Sequence, residues 1–144
     1  PGPVLWLDAC IHGNEVAGIE VIRRIMREEV DPQALHGTIV AVPVVNPFAF
    51  YVGQRTTPLL HDVVDIADLH GVFPGNPTGT LNDRMAHRIF SQMVKCDYVI
   101  NLHQNTAPAT PFTGVATCEN LDVMQASVAM AEAFGLPLTE MKVG

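Results

Sequence analysis

The chain alternates between short apolar runs and longer stretches in which apolar residues recur at helical spacing. Residues 4–7 and 38–45 form two apolar runs, the second rich in β-branched residues, and both are predicted to be buried strands. Between them, apolar side chains recur every three or four positions, at Val16, Ile19, Ile22 and Ile25 or Met26. This order predicts a βαβ unit with parallel strands.

The second half of the chain repeats the pattern after a long stretch, residues 46–79, which is predicted to be loop. Thr80 followed by Asp83 resembles a capping box and starts an apolar stripe that predicts a helix over residues 81–95. Residues 97–102 are predicted to be another buried strand, and a last helix is expected over residues 122–134 before the run 136–143. These elements predict an α/β fold in which helices cover a mostly parallel or mixed sheet.

Composition removes several classes of function. The 144 residues are 48% hydrophobic, which is enough for one globular domain, and the net charge of -7 offers no basic surface for nucleic acid. The longest apolar run, residues 39–45, is far shorter than the roughly 20 residues of a membrane-spanning helix, so no membrane partner is expected. Three cysteines without paired spacing predict neither a disulfide framework nor a cysteine-rich zinc site, and favour a cytoplasmic protein.

Three side chains suited to binding a metal ion follow two of the predicted strands. His12 and Glu15 lie in the turn after the first strand, and His103 lies at the end of the strand over residues 97–102. In open α/β sheets functional groups gather at the carboxyl ends of strands. Two imidazoles and a carboxylate leave a fourth position open, which is typical of catalytic zinc. These three residues are therefore candidate ligands of a catalytic zinc ion.

Each of these residues also has a simpler explanation, because a single histidine near a strand end is more often a hydrogen-bonded structural residue. His36 and His87 are expected at the surface, whereas His61 and His70 fall in the long loop and stay open. Cys10 precedes His12 by two positions and is expected to be ordinary packing at a strand end.

Several motifs occur together in a fixed order, and this order is more specific than any one of them. They are His12-Gly13-Asn14-Glu15, the run 42–50, Arg55, Asp68-Leu69, residues 73–75 and Leu102-His103. The chain resembles the succinylglutamate desuccinylase/aspartoacylase family in these motifs, over about residues 3–104, and is identified as a member.

The resemblance implies a fold and roles for individual residues. It implies a three-layer, zinc carboxypeptidase-like α/β fold, with a central mixed, mostly parallel sheet and helices on both faces. His12, Glu15 and His103 match the family's zinc ligands, so one Zn²⁺ per chain is expected. Arg55 matches the arginine that polarises the scissile carbonyl. A fixed guanidinium there stabilises charge that develops only in the transition state. Asn46 and His70 are candidate substrate contacts.

The chain departs from the family pattern at three points. His70-Gly71 replaces an Asn-Arg pair that grips the substrate carboxylate, and Asn101 stands where an aspartate commonly precedes Leu-His. The family's general base is a glutamate far downstream, which we expect beyond Gly144. Residues 1–144 are therefore expected to be part of a zinc-dependent catalytic domain that continues beyond residue 144.

The predicted function is that of a zinc-dependent hydrolase that cleaves the amide bond of a small N-acyl amino acid or N-acyl amine. Its expected partner is this small molecule, and a homo-oligomer is left open. One alternative is a carboxypeptidase-like metallopeptidase that acts on peptides. The other is a non-catalytic relative that binds zinc and uses the cleft to hold a ligand.

Overall fold

The computed structural model describes residues 2–58, 67–105 and 108–142. The chain divides into two compact units, Pro1–Thr106 and Ala107–Gly144. In each unit helices accompany a sheet whose described strand pairs are all parallel. The predicted α/β fold class is confirmed.

The sheet of the first unit consists of β1 (Val4–Ala9), β2 (Thr38–Val42) and β3 (Tyr98–Leu102). The strand order is β2-β1-β3, so β1 lies in the middle and pairs in parallel with both neighbours. Asp8 is opposite Val42 on one side and Asn101 on the other. The carboxyl ends of all three strands therefore meet at one edge, where the candidate ligands were predicted.

Helix α1 (Ala17–Arg24) covers one face of this sheet and continues into a π-helical turn, Ile25–Glu29. Its Ile22 is buried and packs with Leu7, Ala9 and Cys10 in a core cluster. A Cβ atom on Gly18 would lie 2.7 Å from Cβ of Ala9 and 3.0 Å from Cβ of Leu102. The helix can approach β1 and β3 this closely because residue 18 has no side chain.

A second core cluster contains Ala86 from helix α3 (Leu81–Met93), which begins with the predicted capping box of Thr80 and Asp83. Val42 of β2 packs against this cluster, whereas Ala41 packs against the cluster of α1. Because neighbouring residues of a strand point to opposite faces, helices lie on both faces of the sheet.

The prediction that residues 46–79 are loop is wrong in two places. Helix α2 (Pro47–Val52) begins where the Asn46 side chain accepts a hydrogen bond from Ala49 N, and it ends at Gly53 with φ of 64°. A short 3₁₀ helix spans Leu69–Val72. The helix has strong local signals, namely asparagine at the N-cap, proline in the first turn and a left-handed glycine after the end. They were missed because the many prolines and glycines of residues 46–79 were interpreted as loop residues. His61 lies outside the described residues.

The prediction that all three strands of the first sheet are buried is wrong for two of them. In β1, Trp6 to Ala9 are all buried, whereas Tyr98 and Val99 of β3 are about two fifths exposed and β2 is only partly buried. Each outer strand pairs with only one described strand and is therefore less buried than β1. Apolar runs occur in all three strands, so the run alone could not distinguish an outer strand from the central one.

The second unit contains β4 (Thr113–Ala116), α4 (Leu121–Phe134) and β5 (Leu138–Met141). Its two strands pair in parallel, and the connecting helix begins at Asn120, whose side chain accepts hydrogen bonds from the next turn. The helix was predicted, whereas β4 was not, and β5 lies in the run 136–143, for which no element was predicted. Among the helices of the described ranges, none has the length and apolar content needed to cross a membrane.

Candidate metal centre

The turn after β1 carries His12 and Glu15 and is held against the chain that follows β2. A Cβ atom on Gly13 would lie 2.0 Å from the carbonyl carbon of Ala49, so only glycine fits at this contact. The backbone N–H of Gly13 donates to the carbonyl oxygen of Arg55 at 3.3 Å. These two backbone contacts of Gly13 hold the turn with the two potential ligands beside the predicted catalytic arginine.

The carboxylate of Glu15 lies between the two candidate histidines. Its Oε1 is 2.8 Å from Nδ1 of His12, and its Oε2 is 2.8 Å from Nδ1 of His103. One potential ligand atom from each residue lies within 4.8 Å of those of the other two. Glu15 and His12 are buried, whereas His103 is about one third exposed. The structure thus brings together three residues that the sequence assigned to one metal ion.

Gln104 holds the end of β3 against the start of α1. Its backbone N–H donates to Oε2 of Glu15 at 3.1 Å, and its side-chain oxygen accepts a hydrogen bond from Ala17 N at 2.9 Å. Residues from two neighbouring strands are therefore connected at the carboxylate itself. Sequence analysis did not assign Gln104, although its position directly after His103 was a signal.

The environment sets the protonation of both groups on the β1 turn. Burial alone would raise the pKa of Glu15, but hydrogen bonds from Gln104 and His103 and the charge of His12 outweigh burial and lower the pKa overall. Burial lowers the pKa of His12, against the pull of the nearby carboxylates. An ionised carboxylate and a neutral imidazole are the states that a metal ion requires of its ligands.

The residues present fit a zinc ion. Nε2 of His12 is buried and makes no hydrogen bond, although Oδ1 of Asp68 is 3.2 Å away. Nδ1 of both histidines faces the Glu15 carboxylate, and two nitrogens with one carboxylate are a donor set of catalytic zinc sites. Carboxylates that face the far side of a ligating imidazole commonly orient it, which is the position of Asp68 relative to His12.

Arg55 adds a cation beside the cluster. Its Nη1 donates to Oε1 of Glu15 at 2.9 Å, and its Nη2 is 3.7 Å from Oδ2 of Asp68. The guanidinium is about half exposed, so part of it faces solvent while the rest is fixed by the two carboxylates. This places the cation where charge on a substrate oxygen next to the cluster would be stabilised.

His70 also reaches the cluster. Its ring centroid is 5.9 Å from that of His12, with nearly parallel planes, and 5.6 Å from that of His103. The carboxylate of Asp68 accepts a hydrogen bond from His70 N at 3.0 Å and caps the 3₁₀ helix. Asp68 was not assigned a role from sequence, and its place in the Asp-Leu motif was the available signal.

Asn46 is placed differently from the other candidates, because its side chain is fully buried. Its Oδ1 caps α2, and its Nδ2 donates to Oγ1 of Thr57 at 2.9 Å. Thr57 in turn donates to Oδ1 of Asn82 at 2.7 Å. The amide of Asn46 therefore supports the segment that carries Arg55, and its predicted contact with substrate stays a prediction.

Comparison with known proteins identifies the family. The model of the succinylglutamate desuccinylase/aspartoacylase catalytic domain matches residues 1–142. The chain belongs to this family. The resemblance that the motifs indicated is confirmed, and it extends through the second unit.

Three relatives show how the length of this chain compares with the length of theirs. It is 27% identical, over 97% of its length, to the N-alpha-acetyl-L-2,4-diaminobutyric acid deacetylase of Halomonas elongata, of which it covers 40%. An aspartoacylase family protein of Mesorhizobium loti matches with a TM-score of 0.81 and 30% identity, over 97% of this chain and 44% of that one. The ectoine utilization protein EutE (DoeB) of Ruegeria pomeroyi matches with a TM-score of 0.83 and 26% identity, over 99% and 43%. The chain thus spans about two fifths of the length of these relatives.

Position 71 marks the main departure of this family member from the motif of its family. A Cβ atom on Gly71 would meet no atom within 4 Å among the residues of the structure, so the position is open rather than filled by another group. The adjacent His70 is exposed at the same edge. An exposed imidazole therefore stands next to an open position at this edge.

Proposed function

We propose that the chain forms the metal-binding part of a zinc-dependent hydrolase that cleaves the amide bond of a small N-acyl amino acid or N-acyl amine. Residues 1–144 are part of its catalytic domain, which continues beyond residue 144 and contains the general-base glutamate there. The enzyme is cytoplasmic. Its substrate is a small molecule rather than a nucleic acid or a lipid surface.

One observation carries this proposal, namely a buried carboxylate between two imidazoles at the carboxyl ends of two parallel strands. Glu15 has Nδ1 of His12 at 2.8 Å on one oxygen and Nδ1 of His103 at 2.8 Å on the other. His12, Glu15 and His103 would hold the zinc ion. When bound, zinc supplies Lewis-acid chemistry for hydrolysis at neutral pH.

The remaining groups of the cluster have separate roles. Arg55 stabilises negative charge that develops on the carbonyl oxygen, because its guanidinium is held beside Glu15 and is still half exposed. Asp68 orients the ring of His12 through Nε2. His70 donates a hydrogen bond to the polar end of the substrate, since its exposed ring lies next to both histidine ligands.

The substrate class rests on the family and on one named relative. The curated relative from Halomonas elongata is named as a deacetylase of an N-acetylated amino acid. The cluster supplies a candidate metal site and a guanidinium beside it, and neither depends on the identity of the acyl group. We therefore place the substrate among N-acyl amino acids and amines.

The metal site is tested by zinc content and affinity in the purified protein. We expect about one zinc per chain, lost in His12→Ala and in His103→Ala and retained in the control His87→Ala, which removes an exposed histidine from α3. Protein that contains no zinc when purified without chelator, and takes up none on addition, would refute the proposal.

The reaction is tested by turnover of a panel of N-acyl amino acids beside short peptides. We expect release of free amine from the N-acyl compounds and loss of this activity in Arg55→Ala. Hydrolysis of the peptides alone would favour the metallopeptidase. Zinc binding by a folded, complete protein that hydrolyses neither group would favour the non-catalytic relative.

A further inference from the structure

Asp8 is a buried carboxyl group close to the metal centre that none of the roles above uses. It lies on the central strand β1 and is only 2% exposed. Its Oδ2 accepts a hydrogen bond from Nε1 of Trp6 at 2.6 Å, and its Oδ1 accepts a second from Nδ2 of Asn101. Among the described residues no cation forms an ion pair with it. A buried carboxyl group without a cation is costly, so its presence calls for an explanation.

The hydrogen bonds show which form of Asp8 the structure favours. The indole N–H of Trp6 can only donate, and Asn101 also presents its N–H to the carboxyl group. Both oxygens of Asp8 therefore act as acceptors, as in the ionised form. Burial raises the pKa of Asp8 above its ordinary value, although the hydrogen bonds from Asn101 and Trp6 and the charge of His103 act in the opposite direction.

The strand register connects this anion to His103. Asp8 is directly opposite Asn101 in the β1–β3 pair, and His103 follows Asn101 by two positions. Residues two apart along a strand lie on the same face, roughly 7 Å from each other. The carboxylate of Asp8 and the imidazole of His103 are thus neighbours along one face, and a cation at His103 lies within the field of the buried anion.

Resting on the zinc site proposed above, we propose that Asp8 is a positioning residue that strengthens metal binding at His103 through its hydrogen bond to Asn101. The pair of Asp8 and Asn101 supplies one negative charge behind the ligand and fixes the end of β3. Metal affinity then follows the number of carboxylates in this pair.

Four proteins with different numbers of carboxylates in the pair test this relation. Zinc affinity is measured by competition with a chromophoric chelator, and thermal unfolding in the presence of EDTA reports the stability of each metal-free protein. Asp8→Asn removes the charge and keeps the shape, and we expect zinc affinity to fall by about tenfold. The exchange Asp8→Asn with Asn101→Asp keeps one carboxylate, and its affinity should stay close to that of the wild type.

Asn101→Asp alone puts two carboxylates in the pair, and this variant is the most decisive test of the proposal. We expect zinc to bind at least about threefold more tightly while the metal-free protein becomes less stable, because like charges face each other. A purely structural role would lower both quantities together. The Asn101→Asp variant also tests the role of the pair if Asp8→Asn does not fold.

Trp6→Phe is the matched control, since it removes the other hydrogen bond to Asp8 and leaves the charge in place. It should lower stability without the tenfold loss of zinc affinity. Equal zinc affinity in the wild type and folded Asp8→Asn, or unchanged affinity in Asn101→Asp, would overturn the inference. A wild-type protein that binds no zinc would instead refute the proposed function, so the two failures are distinguishable.

Discussion

Glu15 and His103 are 88 positions apart in sequence, yet Oε2 of one lies 2.8 Å from Nδ1 of the other. The parallel pairing of β1 with β3 brings the ends of these strands together, and Gln104 fixes the contact by donating to the same oxygen. Glu15 is therefore the residue on which the geometry of the centre depends most directly.

Glu15→Gln is expected to abolish tight zinc binding, because it replaces the buried anion between two imidazoles by a neutral amide of the same size. Zinc content after dialysis and affinity by calorimetry measure the effect. Glu20→Gln, an exposed glutamate on α1, is the matched control and should bind zinc as the wild type does. Full zinc occupancy in Glu15→Gln would contradict the assignment.

Two substitutions of Asp68 separate its two contacts. Asp68→Asn keeps an N-cap for the 3₁₀ helix but removes the charge that faces Nε2 of His12. We expect about tenfold weaker zinc binding with little loss of stability. Asp68→Ala should show the same decrease in zinc affinity. Because it also removes the N-cap, its free energy of unfolding, measured with urea, should fall by about 1 kcal/mol. Wild-type affinity in both proteins would show that Asp68 does not orient His12.

Asn46→Ala distinguishes a structural role from a contact with substrate. The substitution removes the cap of α2 and leaves Thr57 without one of its buried partners. We expect a loss of about 2 kcal/mol in the free energy of unfolding, from the cap and the unsatisfied buried group together. A protein of unchanged stability whose KM alone rises would instead support the predicted substrate contact.

Gly13→Ala is expected to destabilise the protein by about 3 kcal/mol or more, since the new methyl group would overlap the backbone of Ala49. Gly71→Ala is the matched control, because its methyl group would meet none of the described residues within 4 Å. Thermal unfolding of the two variants side by side measures the difference. Equal melting temperatures would show that the turn after β1 can move away from α2.

The sequence predicted those features that depend on local patterns or on side-chain chemistry. The βαβ unit, the capping box at Thr80 and the three residues of the metal cluster all have signals of this kind. Helix α2 was missed because the proline and glycine that delimit it are also typical of loops. The exposure of β2 and β3 was missed because position in a sheet is a tertiary property, which an apolar run does not encode.

Asn101 illustrates a different limit. From sequence, its amide in place of an aspartate indicated that a charge had been lost near His103. The structure places the carboxylate of Asp8 on the opposite residue of the neighbouring strand. A charged residue directly after the apolar run 4–7 was a visible signal, but its partner could be found only from the strand register.

Gly18 has a consequence that reaches beyond the packing of α1. The missing side chain allows the helix that follows Glu15 to rest on Ala9 and Leu102, and these residues stand shortly before His12 and directly before His103. The absence of a side chain at position 18 therefore sets how closely the helix approaches the two strands that lead to the candidate ligands. A side chain at position 18 would push the helix away from both strands and so change the distances among the three candidate ligands.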